Sequence, residues 1–508
     1  MLQKEQVSRS AGIEVYDPYT GQLIDTIPTA SKEDLDRAVE NARRAYSKWS
    51  KTSVYDRAQL AKRFLTLVDE HREELAQSLS RESGKKIALS RIEVNNILLS
   101  WELFIEKARH MYGTLIPQGL EVNQARNMVM CTREPLGVIA CILPFNFPCN
   151  LFSQKAAPAL LAGNCIIIKP ASDNPLTILR LGQLLLEAGF PEGTVQVLTG
   201  RGSELGDPLA MHSGIDAISL TGSSEVGMHV AQLAAPTLKK VMLELGGNDP
   251  FIVLPDADLA AAVKEAVFAR TFYSGQICCA PKRFLIHRSV YEEFVDLLAK
   301  ELSDVRCTDP MSEEAGMGTL ISERAAARVE EQIKLTLAQG GNLVLGGKRA
   351  ATPAADGSAA VEATLTASGN LVLGGKRAAT PAGGSAAVEA TLIRDVPHDA
   401  DIMHDMEVFG PVIPVTSFET DEEVIELANA SAYGLGAAVF TQRIDAAARY
   451  TRELEAGNVV INGSSYFRTF EMPFGGWKQS GLGNEGVSIT FDEMTRIKNV
   501  VLKGIFPG

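Results

Sequence analysis

The sequence predicts an α/β fold with two open, mostly parallel sheets covered by helices. Three observations predict it. From residue 137, short β-rich runs alternate with helical stretches, the pattern of strands joined by crossover helices. A second series of the same kind starts after residue 247. The length, 508 residues, exceeds what one hydrophobic core ordinarily organises and favours two or three domains.

The elements follow in order. The N-terminal part is read as opening with helices, the clearest at "SKEDLDRAVENARRAYSKW". Ser31 and Asp34 form a capping-box pattern, and Leu35, Ala38, Val39, Ala42, Ala45, Tyr46 and Trp49 make one apolar stripe. The first strand series is "GVIACILPF", "CIIIKP", "TVQVLTG", "IDAISLTG" and "KKVMLELGG", with helices at "TILRLGQLLLEAG" and "SEVGMHVAQLAA". The second comprises "FIVLPD", a helix opening at "DADLAAAVKEAVFA", then "KRFLIH", "PVIPVTSF" and "NVVIN". Ligands of such sheets bind at the carboxyl ends of strands, so a site is expected in the cleft between the two domains. One stretch breaks the rhythm: "GNLVLGGKRAATPAADGSAAVEATL" at 341–365 returns almost unchanged at 369–392. Two near-identical copies indicate a recent tandem duplication, supporting at most a short strand, "NLVLGG", ahead of a flexible loop. A tolerated surface insertion fits it better than a partner-binding flap, because lengthening a loop costs little.

Composition narrows the function. With 45% hydrophobic and 22% charged residues the chain reads as globular rather than disordered. Its net charge of -13 disfavours nucleic acid or an anionic membrane as the main partner, leaving a small molecule. No apolar run approaches the length of a membrane span, and "MLQKEQVSRS" does not lead into a secretory signal. Seven scattered cysteines make no disulfide framework, so a reducing, cytoplasmic compartment is expected, and no metal site is read.

Several residues could carry chemistry. "LTGRGSELG" and "LTGSSEVG" place Gly200, Gly202, Gly206, Gly222 and Gly227 at strand-to-helix turns, where backbone N–H groups can meet a phosphate; ordinary tight turns would look the same. Lys169 ends the strand "CIIIK", within reach of a nucleotide ribose or phosphate, or simply solvated. Glu244 in "LELGG" is either a general base with a burial-raised pKa or a structural carboxylate. Asn146 in "PFNFP" either forms a turn or aims an amide at an oxyanion. In "YSGQICCAPKR", Gly275 permits an abrupt turn that could present a thiol as nucleophile, with Lys282 and Arg283 nearby, although a cysteine pair alone reads more readily as packing.

Taken together, "PFNFP", "IIIKPAS", "LTGSSEVG", "LELGGNDP", "FYSGQICC", "EVFGP" and "MPFGGWKQSGLG" resemble the aldehyde dehydrogenase superfamily, in the same order and at similar spacing over nearly the whole chain. The resemblance implies a Rossmann-type cofactor domain, an α/β catalytic domain and a small oligomerisation hairpin. In this numbering these would be a dinucleotide-binding domain at 1–115 and 137–246, a catalytic domain at 247–476 carrying the duplicated insertion 341–392, and bridging segments at 116–136 and 477–508. It further implies Cys278 as nucleophile with Cys279 a bystander, Asn146 as oxyanion-stabilising amide and Glu244 as general base. Lys169, Gly222, Ser223 and Gly227 would meet the cofactor's adenosine ribose and phosphates. Glu407 would hold the nicotinamide ribose, and Phe409 would lie beside the ring. The expected reaction is NAD(P)-dependent oxidation of an aldehyde to a carboxylic acid through a thiohemiacetal and a thioester.

The sequence also departs from that pattern. Ser172 stands where NAD-preferring members often carry a carboxylate, which leaves room for NADP, so NAD or NADP is expected. Gln154 stands where members acting on succinic semialdehyde tend to have arginine. Arg468 is the candidate for pairing with an anionic or hydroxylated aldehyde, with Lys107 and Arg109 as weaker ones. A CoA-acylating enzyme commonly lacks the glutamate matched by Glu244; a non-catalytic binding protein on the same fold is the remaining alternative. The hairpin around "MVMCTREPLG" and the strand "RIKNVVLKGI" predict a homodimer or homotetramer.

Overall fold

The computed structural model describes residues 12–349 and 386–506. Most of the duplicated stretch, including the second "NLVLGG", lies outside them.

Two sheets organise the chain. The first has six strands in the order Gly481–Leu482, Lys240–Glu244, Ala217–Thr221, Val138–Ile142, Cys165–Lys169, Val195–Val197. All its pairs are parallel except the edge strand Gly481–Leu482, which runs antiparallel to Lys240–Glu244. The second has seven, in the order Asn342–Leu345, Thr391–Arg394, Val412–Phe418, Pro281–His287, Asp249–Val253, Gly436–Phe440, Asn458–Ile461. Again only an edge strand, Asn342–Leu345 from the first repeat copy, is antiparallel. Most of the predicted strands are central and buried on both faces, as Ile166, Ile167 and Ile168 illustrate, while Val195–Val197 and Asn458–Ile461 form sheet edges and are partly exposed. One apolar core packs the helices onto the first sheet, and two more cover the faces of the second.

The helix Lys32–Trp49 forms as the capping pattern requires: Asp34 N donates to Ser31 Oγ at 3.1 Å and Ser31 N to Asp34 Oδ2 at 2.9 Å. The described chain opens differently from expectation, with an antiparallel pair, Ile13–Tyr16 and Leu23–Ile27, before that helix. Its signal was the short alternation "IEVY", in which Ile13 and Val15 are buried, followed by a turn that Gly21 closes at φ 70°.

A three-stranded antiparallel sheet joins Thr114–Ile116, Met128–Pro135 and Thr495–Leu502 and leaves Leu115, Ile497 and Val501 exposed. The tail does more than bridge, since its strand Gly481–Leu482 completes the first sheet.

The chain crosses from Glu244, the last residue of a first-sheet strand, to Asp249, the first of a second-sheet strand, through Leu245, Gly246, Gly247 and Asn248. Carboxyl ends of the first sheet therefore face amino ends of the second, and the site lies between those edges.

Candidate active site

The helix Leu259–Thr271 ends in a left-handed turn, with φ of 45° at Tyr273, 53° at Ser274 and 73° at Gly275. For the two residues with side chains this conformation costs about 1–2 kcal/mol each. The surroundings over-determine it: Tyr273 Oη donates to Ser83 O at 3.1 Å, and Ser274 Oγ to Gly318 O at 2.8 Å. Only glycine fits at 275, where a Cβ would stand 2.2 Å from Gly410 O. The turn delivers Cys278 partly exposed and Cys279 buried.

The two thiols are unequal. A hydrogen bond from Cys279 pulls the Cys278 thiol below its ordinary pKa, against burial and with help from the positive charge of Lys282. The same bond, with burial, pushes Cys279 well up. Adjacent thiols sharing a proton cannot both ionise, and the exposed one holds the anion. Lys282 is buried, donates to Cys278 O at 2.6 Å and lies 3.3 Å from Glu407 Oε1. Arg283 points elsewhere, into the carbonyls of Asn248, Met403, Leu427 and Ala428.

Asn146 follows the strand Val138–Ile142. Its Nδ2 donates to Gln276 O at 3.1 Å, which brings the side-chain amide against the cysteine loop. Glu244 ends its strand 5% exposed, and its Oε2 has no hydrogen-bond partner. Burial, then the neighbouring Glu485, push its carboxyl well above the usual range. Glu485 itself is held low against burial by Lys155, at 2.6 Å from its Oε1, and by Arg468, whose Nη2 is 3.6 Å from its Oε2. Lys155 and Glu485 were not singled out by sequence reading; a lysine amid the apolar helix "PCNLFSQKAAPALLA" was the available signal.

Two cavities meet here. The larger encloses about 2090 Å³, including space open to solvent, and runs past Ala171, Gly222, Ser223, Arg324, Glu407 and Phe409. The smaller, about 1070 Å³ on the same basis, is walled by Phe147, Tyr466, Phe470 and Phe474, with Arg468, Glu244 and Glu485. Cys278 and Asn146 line both.

The larger cavity fits a nicotinamide dinucleotide. Gly222 and the N-cap Ser223 open the helix Ser224–Ala234, whose first N–H groups have no intrahelical acceptor and suit phosphate. Across the cavity stand Arg324 and Arg328, one helical turn apart. Near Cys278, Glu407 accepts from Gly247 N at 3.2 Å, and a Cβ at Gly246 would fall 2.5 Å from its Oε2. Phe409 meets Phe145 edge-on at 5.9 Å. Gly227 lies one turn into the helix, where a Cβ would come 2.4 Å from Leu245 Cδ2, a packing role. Lys169 donates to Pro170 O at 3.2 Å and is pushed down to about 8 by burial, against Asp173. Ser172 donates to Gly200 O at 3.1 Å, so the wall is formed by its neighbours Ala171 and Asp173.

In the smaller cavity the Arg468 guanidinium lies 4.2 Å from the Phe474 ring centre, and its Nη2 makes no hydrogen bond. Lys107 and Arg109 end the helix Ile87–Ala108 away from both cavities, and Gln154 is buried within its own helix. The glycines 202 and 206 flank a separate turn after Val195–Val197.

The chain matches the Aldehyde dehydrogenase family over residues 5–368 and 355–500, two segments that overlap inside the duplicated stretch. It is 35% identical to the 3-sulfolactaldehyde dehydrogenase of Pseudomonas putida over 97% of this chain and 93% of that one. Among solved structures, glyceraldehyde-3-phosphate dehydrogenase GapN from Methanocaldococcus jannaschii, complexed with NADP, superposes with a TM-score of 0.87 at 32% identity, covering 98% and 100% of the two chains. An NAD+ complex of aldehyde dehydrogenase from Bacillus cereus does so with a TM-score of 0.87 at 34% identity, covering 97% and 93%. With a thiol, an amide and a raised carboxyl gathered where two cavities meet, and with these likenesses end to end, the chain belongs to the aldehyde dehydrogenase family.

Proposed function

We propose that this protein oxidises an aldehyde bearing a compact anionic or hydroxylated group to the carboxylic acid, with NAD or NADP, using Cys278 as nucleophile. The observation that carries the reading is the position of Cys278 and Asn146 on the walls of both cavities at once.

The Cys278 thiolate attacks the aldehyde carbon from the smaller cavity, and the resulting oxyanion accepts hydrogen bonds from the Asn146 amide and the Cys278 backbone N–H. When bound in the larger cavity, the cofactor supplies the hydride acceptor that turns this thiohemiacetal into a thioester on Cys278. Glu407, Phe409 and Lys169 would hold it there, with Gly222 and Ser223 forming its phosphate-facing turn and Ser172 beside its adenosine ribose. Glu244, once ionised, removes a proton from the water that hydrolyses the thioester. Its retention disfavours resolution of the thioester by CoA.

Charge in the smaller cavity supports an anionic substrate. Arg468 stands on the wall of that cavity beside Glu485, which Lys155 pairs with from behind and whose carboxyl both cations hold low, while burial raises that of Glu244. An anionic group on the substrate would pair with the Arg468 guanidinium. The relatives named for 3-sulfolactaldehyde and glyceraldehyde-3-phosphate point to the same chemistry.

In this reading, residues 1–115 and 137–246 bind cofactor, 247–476 carry catalysis, and 116–136 with 477–508 join subunits into a homodimer or homotetramer through the exposed strands Thr114–Ile116 and Thr495–Leu502. Seven free cysteines suit a reducing cytoplasm. The test is reduction of NAD and NADP, followed at 340 nm, with aliphatic, hydroxylated, anionic and aromatic aldehydes by the wild type and Cys278→Ala. Turnover that survives the substitution would sink the reading.

A further inference from the structure

Lys85 is fully buried, although it lies in the loop between the helices Arg72–Ser83 and Ile87–Ala108. A buried ammonium persists only when paired and hydrogen-bonded. Here it pairs with the equally buried Glu93 and donates to Asn146 O at 2.7 Å. It also stands over two aromatic rings, 4.3 Å from the centre of Phe147 and 4.4 Å from that of Tyr273. Glu93 spends its other oxygen on the start of the next helix: its Oε1 accepts from Cys149 N at 2.9 Å and Asn150 N at 3.3 Å.

These partners belong to the two segments that build the oxyanion site. Asn146 and Phe147 form the turn that carries the amide, and Glu93 anchors the helix Pro148–Ala162 that follows it. Tyr273 opens the left-handed turn that ends at Cys278. One charge pair thus fastens the amide turn by its carbonyl and the cysteine turn by an aromatic face. Both turns need fastening, since Phe147 has no side-chain cap for its helix and Tyr273 sits in a costly backbone conformation.

We infer that Lys85 and Glu93 are positioning residues for acyl transfer, fixing the Asn146 amide relative to Cys278 without touching substrate or cofactor. The inference rests on the assignment of Asn146 and Cys278 above. A group that acts through Asn146 loses its effect once that amide is gone, whereas one that supports only the fold does not.

The test is a double-mutant cycle of Lys85→Met and Asn146→Ala, read as the single-turnover rate of nicotinamide reduction, with cofactor KM and Tm measured alongside. With Asn146 present, Lys85→Met is expected to lower the rate about 10–100-fold, up to the cost of a group misplaced by about 1 Å and below the roughly 10²–10³ of losing an oxyanion donor outright, with cofactor KM within about twofold. In the Asn146→Ala background the same change should cost less than about threefold. Lys85→Arg, which keeps charge and donors, should recover part of the rate. Equal factors in both backgrounds, or a loss confined to KM, overturn the inference. If Lys85→Met fails to fold, Lys85→Met/Glu93→Leu removes both charges together and enters the same cycle with the same two outcomes. Turnover that survives Cys278→Ala instead overturns the reading of the site itself. Turnover lost there and reduced in Asn146→Ala, with additive Lys85 effects, overturns only this inference.

Discussion

Lys155 Nζ lies 2.6 Å from Glu485 Oε1, and this buried ion pair sets the charge that Glu244 faces. Glu485 is the nearest cause, after burial, of the raised Glu244 carboxyl. A general base works only when ionised, so hydrolysis of the thioester is lost as pH falls through that raised pKa. In Glu485→Gln the repulsion is gone while Lys155 and Arg468 remain, so the acid limb of the deacylation rate moves to lower pH. A pH profile of steady-state kcat, with deacylation limiting, checks the direction; an upward move contradicts it.

Cys279 is expected to assist Cys278 by hydrogen bonding. Cys279→Ala removes that donor and should raise the Cys278 pKa, by an amount set by about 1 kcal/mol for one such bond. The rate of alkylation of Cys278 by iodoacetamide against pH reads the shift, with Cys278→Ala as the blank.

Arg468 stacks on Phe474, lies 3.6 Å from Glu485 and lines the smaller cavity. Arg468→Ala should raise KM for an anionic aldehyde about 10–100-fold, the worth of a charge-assisted hydrogen bond, and change that for a neutral one little. Equal effects on both substrates would remove it from substrate recognition.

Gly275 is the point where the cysteine turn admits no Cβ. Gly275→Ala should cost activity and lower Tm together, because the methyl must displace Gly410 and the left-handed φ is itself unfavourable for alanine. Calorimetry beside the 340 nm assay separates this from a purely catalytic defect.

Cofactor choice is expected to depend on the position of Ser172. With no carboxylate at that position NADP should be accepted, and Ser172→Glu should lower kcat/KM for NADP more than for NAD. Wild-type turnover with both cofactors at equal concentration sets the baseline.

The strands that carry the site were legible because buried parallel strands write themselves as β-branched runs, and "CIIIK" and "KRFLIH" end or begin where the sheets meet. Glycine at 275 announced the turn, but its reach did not: the left-handed conformations of Tyr273 and Ser274 come from contacts with Ser83 and Gly318, far off in the chain. The charges behind the site were illegible for the same reason. Lys155 with Glu485, and Lys85 with Glu93, pair across folds of the chain that periodicity does not encode. Gly227 carries the glycine pattern of a phosphate turn, yet it packs on Leu245, a distinction that depends on how far the helix has already turned.

The central claim is that Cys278, rather than its neighbour, carries the acyl group. The most direct measurement mixes Glu244→Gln with cofactor and aldehyde, quenches in acid and maps the modified peptide by mass. The account predicts one equivalent of reduced cofactor per active site and an acyl adduct on Cys278. A stoichiometric burst with the adduct on Cys279, or with no adduct, would contradict it.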